Sequence, residues 1–130
     1  MRPSRAAGLV VTTLMLGALA CVSERSSGPS GSLEDCSVQI PSDAFGSTIV
    51  VIRDFTFTPA QVRVRPGTKV TWVNCGSTGD EAHTSTSDAN VWSSALLPPG
   101  ATFTREFPQA GPFPYHCEPH PQMRGTVTVE

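Results

Sequence analysis

From residue 48 onward, apolar and polar side chains alternate in short runs. In residues 61–65, Val62 and Val64 share one face and Arg63 and Arg65 the other. In residues 69–74, Val70 and Trp72 face one way and Thr71 and Val73 the other, and in residues 102–107 Phe103 and Arg105 oppose Thr104 and Glu106. A period of two is that of extended chain, whose successive side chains point to opposite faces. The pattern predicts strands over 48–52, 61–65, 69–74, 102–107, 113–117 and 125–129. Pro66-Gly67 supplies a turn of type I or II between the second and third of these. Twelve prolines, several beside the runs, leave little room for long unbroken strands. No helical period organises the chain after residue 20, and no internal repeat is visible. Many short strands with turn signals between them predict an all-β sandwich. Residues 76–92, rich in Ser, Thr, Asp and Gly, are the least regular stretch.

The 130 residues suffice for one domain behind a removable start. Arg2 and Arg5 precede an apolar run from Ala6 to Ala20, and Ala18-Leu19-Ala20 offers small residues for cleavage, so residues 1–20 read as an export signal. The run is too short to span a bilayer comfortably. A cut after Ala20 makes Cys21 the first residue, which resembles a bacterial lipoprotein processing site, although Ala18 stands where a leucine is usual. An ordinary signal peptidase cut is the alternative. Residues 21–35 read as a flexible Ser/Gly tether and residues 36–130 as the folded domain. The expected location is extracytoplasmic in a bacterium: the periplasm, or the cell membrane or outer membrane through lipid on Cys21. Net charge is −2 over the whole chain. Beyond residue 20, seven basic residues face eleven acidic ones, and no basic patch argues for nucleic acid.

The chemistry concentrates near the C-terminus, in Tyr115-His116-Cys117-Glu118-Pro119-His120-Pro121-Gln122-Met123-Arg124-Gly125. Cys117-x-x-His120-x-x-Met123 brings a thiol, an imidazole and a thioether around one tight turn. A Cys thiolate, two His nitrogens and a weak axial Met form the ligand set of electron-transfer copper. Zinc fits less well, because its structural sites take Cys or His at all four positions. The bland alternative is core packing, since buried Cys and Met are common in β proteins. Yet His120 lies between Pro119 and Pro121, outside any continuous strand. The second imidazole follows by elimination. The chain has three His, and His116, next to Cys117 in extended chain, faces away from it. His83 remains.

These residues carry a family resemblance. The segment from Tyr115 to Gly125 resembles the copper-binding loop of cupredoxins, in its short amicyanin-like form. Phe57-Thr58-Pro59, Val62, Val64, Pro66-Gly67, Val70, Trp72 and Asn74 are similar to the N-terminal strands of the same plastocyanin-like proteins. The resemblance spans residues 48–130 and implies a Greek-key β-sandwich of seven to eight strands. It implies one type 1 copper ion, cycling between Cu(I) and Cu(II), held by His83, Cys117, His120 and Met123. It also implies that Asn74 ties the His83 loop to the Cys117 loop, with the N–H of Asn74 or Cys75 donating to the thiolate. Asn74 closing a turn is the simpler alternative. The chain departs from the amicyanin-like pattern in the eight residues between Asn74 and His83, a longer connection than that pattern has.

The function implied is single-electron transfer between redox proteins, for example a cytochrome or a dehydrogenase, by a monomer that is not an enzyme. His120 is expected at the docking surface, with Leu96, Leu97, Pro98 or Pro99 nearby, and Glu118 is expected to lower the potential or steer a basic partner. Copper delivery is the alternative function, because the same ligands bind Cu(I). A copper enzyme, which His116 beside Cys117 would suit, needs more imidazoles than three. If Cys21 is acylated and Cys117 bound to metal, Cys36 and Cys75 are left over. In an oxidising compartment they form a disulfide, or else they are two free buried thiols.

Overall fold

The computed structural model describes Leu33, Cys36 and residues 38–130. The expected export signal, Cys21 and most of the expected tether lie outside the described residues. Eight strands follow a 3-10 turn at Ser42–Ala44: β1 (Thr48–Arg53), β2 (Thr56–Thr58), β3 (Gln61–Val64), β4 (Thr68–Asn74), β5 (Thr86–Ser87), β6 (Thr102–Phe107), β7 (Gly111–His116) and β8 (Arg124–Val129). They form two four-stranded sheets, β2-β1-β4-β6 and β3-β8-β7-β5, an all-β sandwich as the alternation predicts. Each predicted run coincides with a strand to within two residues. The short strands β2 and β5 were not resolved by the alternation, being too brief to show a period.

Pairing is parallel between β1 and β4 and between β3 and β8, and antiparallel elsewhere. The inward residues meet in one core. Val62 and Val64 from β3, Val70 and Trp72 from β4, Phe107 from β6, Tyr115 from β7 and Val127 and Val129 from β8 are all buried there. Trp72 is its hub, with ring centroids 5.2 Å from Tyr115 and 6.1 Å from Trp92. The β7–β8 register sets Gly125 opposite Tyr115. A Cβ on Gly125 would clash with the Tyr115 ring, so only glycine leaves room for that ring beside β8.

The other face of β4 is also buried, which alternation alone does not explain. Val51, Val73 and Cys75 form a second cluster, covered by Leu33, Cys36, Val38, Ile40 and Ile49. Cys36 and Cys75 are joined in a disulfide, which staples the N-terminal segment across the sheet. Thr71, on the same face of β4 as Val73, is fully buried and bonded to Thr104 and Ser47 at 2.8 Å each. A strand covered on both faces reads as a continuous buried run, and β4 does.

Candidate metal centre

Three donor atoms converge at one end of the sandwich. Cys117 Sγ lies 3.6 Å from His83 Nδ1 and 3.7 Å from His120 Nδ1, and the two Nδ1 atoms are 3.2 Å apart. Cys117 is fully buried and His83 nearly so, while His120 is half-buried. Met123 is buried in the same core cluster as Cys117.

The loop after β7 folds onto itself to bring these residues together. Cys117 N–H donates to the Met123 carbonyl (3.1 Å), His120 N–H to the Cys117 carbonyl (3.2 Å), and Met123 N–H to the His120 carbonyl (2.8 Å). Pro119 and Pro121, both exposed, lack N–H groups and fix φ on either side of His120. The loop therefore closes through the three-residue spacing noted in the sequence. His83 arrives from the irregular stretch, held by a two-way backbone bridge: its N–H donates to the Leu97 carbonyl (3.1 Å) and its carbonyl accepts from Leu97 N–H (2.8 Å).

Asn74 does not bridge to the Cys117 loop. Its side-chain amide donates to the carbonyls of Leu97 (2.9 Å) and Glu81 (3.2 Å), and its Oδ1 accepts from Gly76 N–H (2.9 Å). It thus braces the long connection to His83 from below. Neither backbone N–H proposed for the sulfur is free to reach it, because Asn74 N–H goes to the Ala101 carbonyl and Cys75 N–H continues the ladder to Ile52.

Thr84 makes both contacts instead. Its N–H donates to Cys117 Sγ at 3.3 Å, and its Oγ1 accepts the N–H of Glu118 at 2.8 Å. One buried residue therefore polarises the sulfur and clasps the loop one position beyond it. Sequence reasoning missed Thr84, although its place directly after the candidate ligand His83 was the available signal.

His116 faces away from Cys117, as its neighbour position requires. Its Nδ1 meets Asp88 Oδ1 at 2.5 Å, and Arg124 meets the other carboxylate oxygen at 3.3 Å. Of the four residues considered for a docking patch, Leu97 is buried in the core and serves the His83 bridge, whereas Leu96 is 60% exposed. Glu118 is exposed beside the centre.

The donor set fits copper. A buried sulfur and two imidazole nitrogens point at one another rather than at water, and one soft with two borderline donors is what copper selects. Burial is the main force lowering the His83 pKa, helped by His120 and opposed by Glu81. That shift favours the neutral imidazole, the form that binds metal.

Residues 46–130 match the copper binding proteins of the plastocyanin/azurin family. The chain belongs to that family. It is 33% identical to amicyanin of Paracoccus denitrificans over 79% of this chain and 86% of the relative. It is also 33% identical to plastocyanin of Scenedesmus fuscus, over 57% of this chain and 86% of that one. A reduced-state structure of an amicyanin variant superposes with a TM-score of 0.61 at 27% identity, over 71% of this chain and 87% of that one. Such cupredoxins are electron carriers and not enzymes, and copper is their cofactor, so this chain is a cupredoxin electron carrier.

Proposed function

We propose that this cupredoxin is an exported protein that carries single electrons between redox protein partners through one copper ion held by His83, Cys117, His120 and Met123. The convergence of His83 Nδ1, His120 Nδ1 and Cys117 Sγ carries this reading. Copper bound there supplies a one-electron couple. The protein's part is to hold the donors still and dry. Cys117 hangs from the end of β7, His83 from its bridge to Leu97, and Thr84 links the two across 33 residues of sequence. Donors so restrained move little when charge changes. The N–H on the sulfur stabilises the thiolate and shares its negative charge.

His120 is the ligand with a route to partners, because it alone of the three converging residues is half-exposed. A cytochrome or a dehydrogenase meeting the protein at that edge is the proposed encounter, with the protein acting as a monomer outside the cytoplasm. Lipid on Cys21 is the proposed anchor where the chain is membrane-held. Carriage of electrons is favoured over copper delivery by the burial of Cys117 and the double tie through Thr84, which oppose ready release of the metal.

The test is the spectrum of the exported protein after adding Cu(II). An intense blue band with narrow copper hyperfine splitting is expected. A pale, ordinary Cu(II) spectrum would remove Cys117 from the ligand set. Fast electron self-exchange at constant copper occupancy is expected as well, whereas ready copper exchange with a chelator would favour delivery.

A further inference from the structure

Asp54 and Phe55 form the two-residue connection between β1 and β2, with Arg53 paired to Thr56 across it. Both have positive φ, 49° and 56°. That conformation belongs to the type I′ hairpin turn, where Asn-Gly and Asp-Gly dominate because larger side chains are strained there. Asp54 suits its place. Phe55 does not, and a 48% exposed phenylalanine is not explained by core burial either.

What the ring touches explains it. Its centroid lies 4.8 Å from that of His120 and 5.6 Å from that of His83, at interplanar angles of 86° and 90°. The two imidazoles are themselves 4.9 Å apart and inclined at 55°. One phenylalanine ring therefore stands perpendicular to both at once. Its support is firm, because β1 is paired on both sides, to β2 and to β4. A residue that breaks the local turn preference while contacting two groups of the centre is of the kind retained for function.

We propose that Phe55 is a positioning residue of the copper centre, its ring holding the His83 and His120 imidazoles in fixed mutual orientation and covering part of His120. The inference rests on the ligand reading above. Edge-to-face aromatic pairs add to simple area burial, and groups that orient metal ligands raise metal affinity by fixing the ligands beforehand. Phe55 acts from a neighbouring hairpin, so it constrains both imidazoles without belonging to either ligand loop.

The experiment compares the exported protein with Phe55→Gly and Phe55→Tyr. Phe55→Gly converts the turn to the Asp-Gly pair that type I′ geometry favours, so the metal-free variant should melt no lower than the parent. Its Cu(I) should pass to a strong chelator roughly tenfold faster, with a displaced reduction potential. Phe55→Tyr, which keeps the ring, should restore the parental rate and potential. In the metal-free proteins, ring-current shifts of the His83 and His120 ring protons should be present in the parent and Phe55→Tyr and lost in Phe55→Gly. Parental copper release in Phe55→Gly would overturn the inference. So would a Phe55→Tyr variant as leaky as Phe55→Gly, or a metal-free Phe55→Gly destabilised enough to show that Phe55 merely holds the fold. A parent that binds no blue copper would overturn the ligand reading and this inference together, whereas a blue parent with indifferent variants overturns this inference alone.

Discussion

Thr84 meets the Cys117 loop twice, and substitution separates the two contacts. Thr84→Ala keeps the backbone N–H on the sulfur but removes the hydroxyl that accepts from Glu118 N–H. Leaving a partly buried donor unpaired costs about 1–3 kcal/mol. The expected result is a lower urea midpoint in the metal-free protein with the blue band retained after loading. Loss of the band would mean that the hydroxyl, not the N–H, governs the sulfur. Met123 makes a different prediction. Met123→Leu should raise the reduction potential and keep the colour, because an axial thioether is a weak ligand whose removal favours the reduced ion. Voltammetry decides it, and a colourless product counts against the axial role. At this scale the sequence was legible wherever donor chemistry is carried by residue type and spacing, as at Cys117 and His120, which the structure brings together with His83. It was not legible where a backbone N–H does the work, since every residue except proline carries one.

At the scale of strands, two features position the centre without touching it. Gly125 sits across from Tyr115, and Gly125→Ala would push a Cβ into that buried ring. Overpacking of this kind costs about 1–3 kcal/mol. The loop that carries Cys117 and Met123 is strung between β7 and β8, so lower thermal stability should be accompanied by a broadened copper spectrum. Chemical denaturation and electron spin resonance of the same sample check both. The disulfide makes a second prediction. Cys36→Ser opens a loop with a sequence separation of 39, worth about 4 kcal/mol in the chain-entropy view. Denaturation under oxidising conditions should show most of that loss, with the spectrum little changed, because the staple lies on the face of β4 opposite Trp72 and the main core. Alternation put Val70 and Trp72 on one face of β4 and Thr71 and Val73 on the other, without showing that both faces are buried. The face that carries Val73 is buried because Leu33, Cys36, Val38 and Ile40 pack over it, a long-range event that leaves no period in the strand itself.

At the scale of the whole molecule, His83 contributes a pH dependence of stability whose sign follows from its surroundings. Burial and the nearby His120 lower the His83 pKa below its ordinary 6.5, against the pull of Glu81. The unfolded chain therefore takes up that proton first as pH falls. The stabilising share of His83 is full above pH 6.5 and is lost as pH drops through the lowered folded value. The metal-free protein should accordingly melt at lower temperature at pH 5 than at pH 7.5, and His83→Gln should flatten that slope. An unchanged slope in the variant would assign the pH effect to other groups. Copper binding should raise the melting temperature at pH 7.5, since a ligand that binds only the folded state stabilises it by mass action.

By itself the sequence determined the six longer strands and the kind of chemistry, a copper centre in an all-β fold. A period of two marks strands because side-chain direction in extended chain is local, and Cys-x-x-His-x-x-Met marks a soft-metal loop because one tight turn needs only those seven residues to close. Elimination among three imidazoles also singled out His83, since neighbouring side chains on a strand oppose each other. Only the tertiary structure decided what supports the converging donors. Thr84 rather than Asn74 spans the two loops, Asn74 braces the long connection through Glu81 and Leu97, and Phe55 reaches both imidazoles from a separate hairpin. These contacts join residues distant along the chain, and their partners are set by how the two sheets close over a common core, which no local pattern encodes.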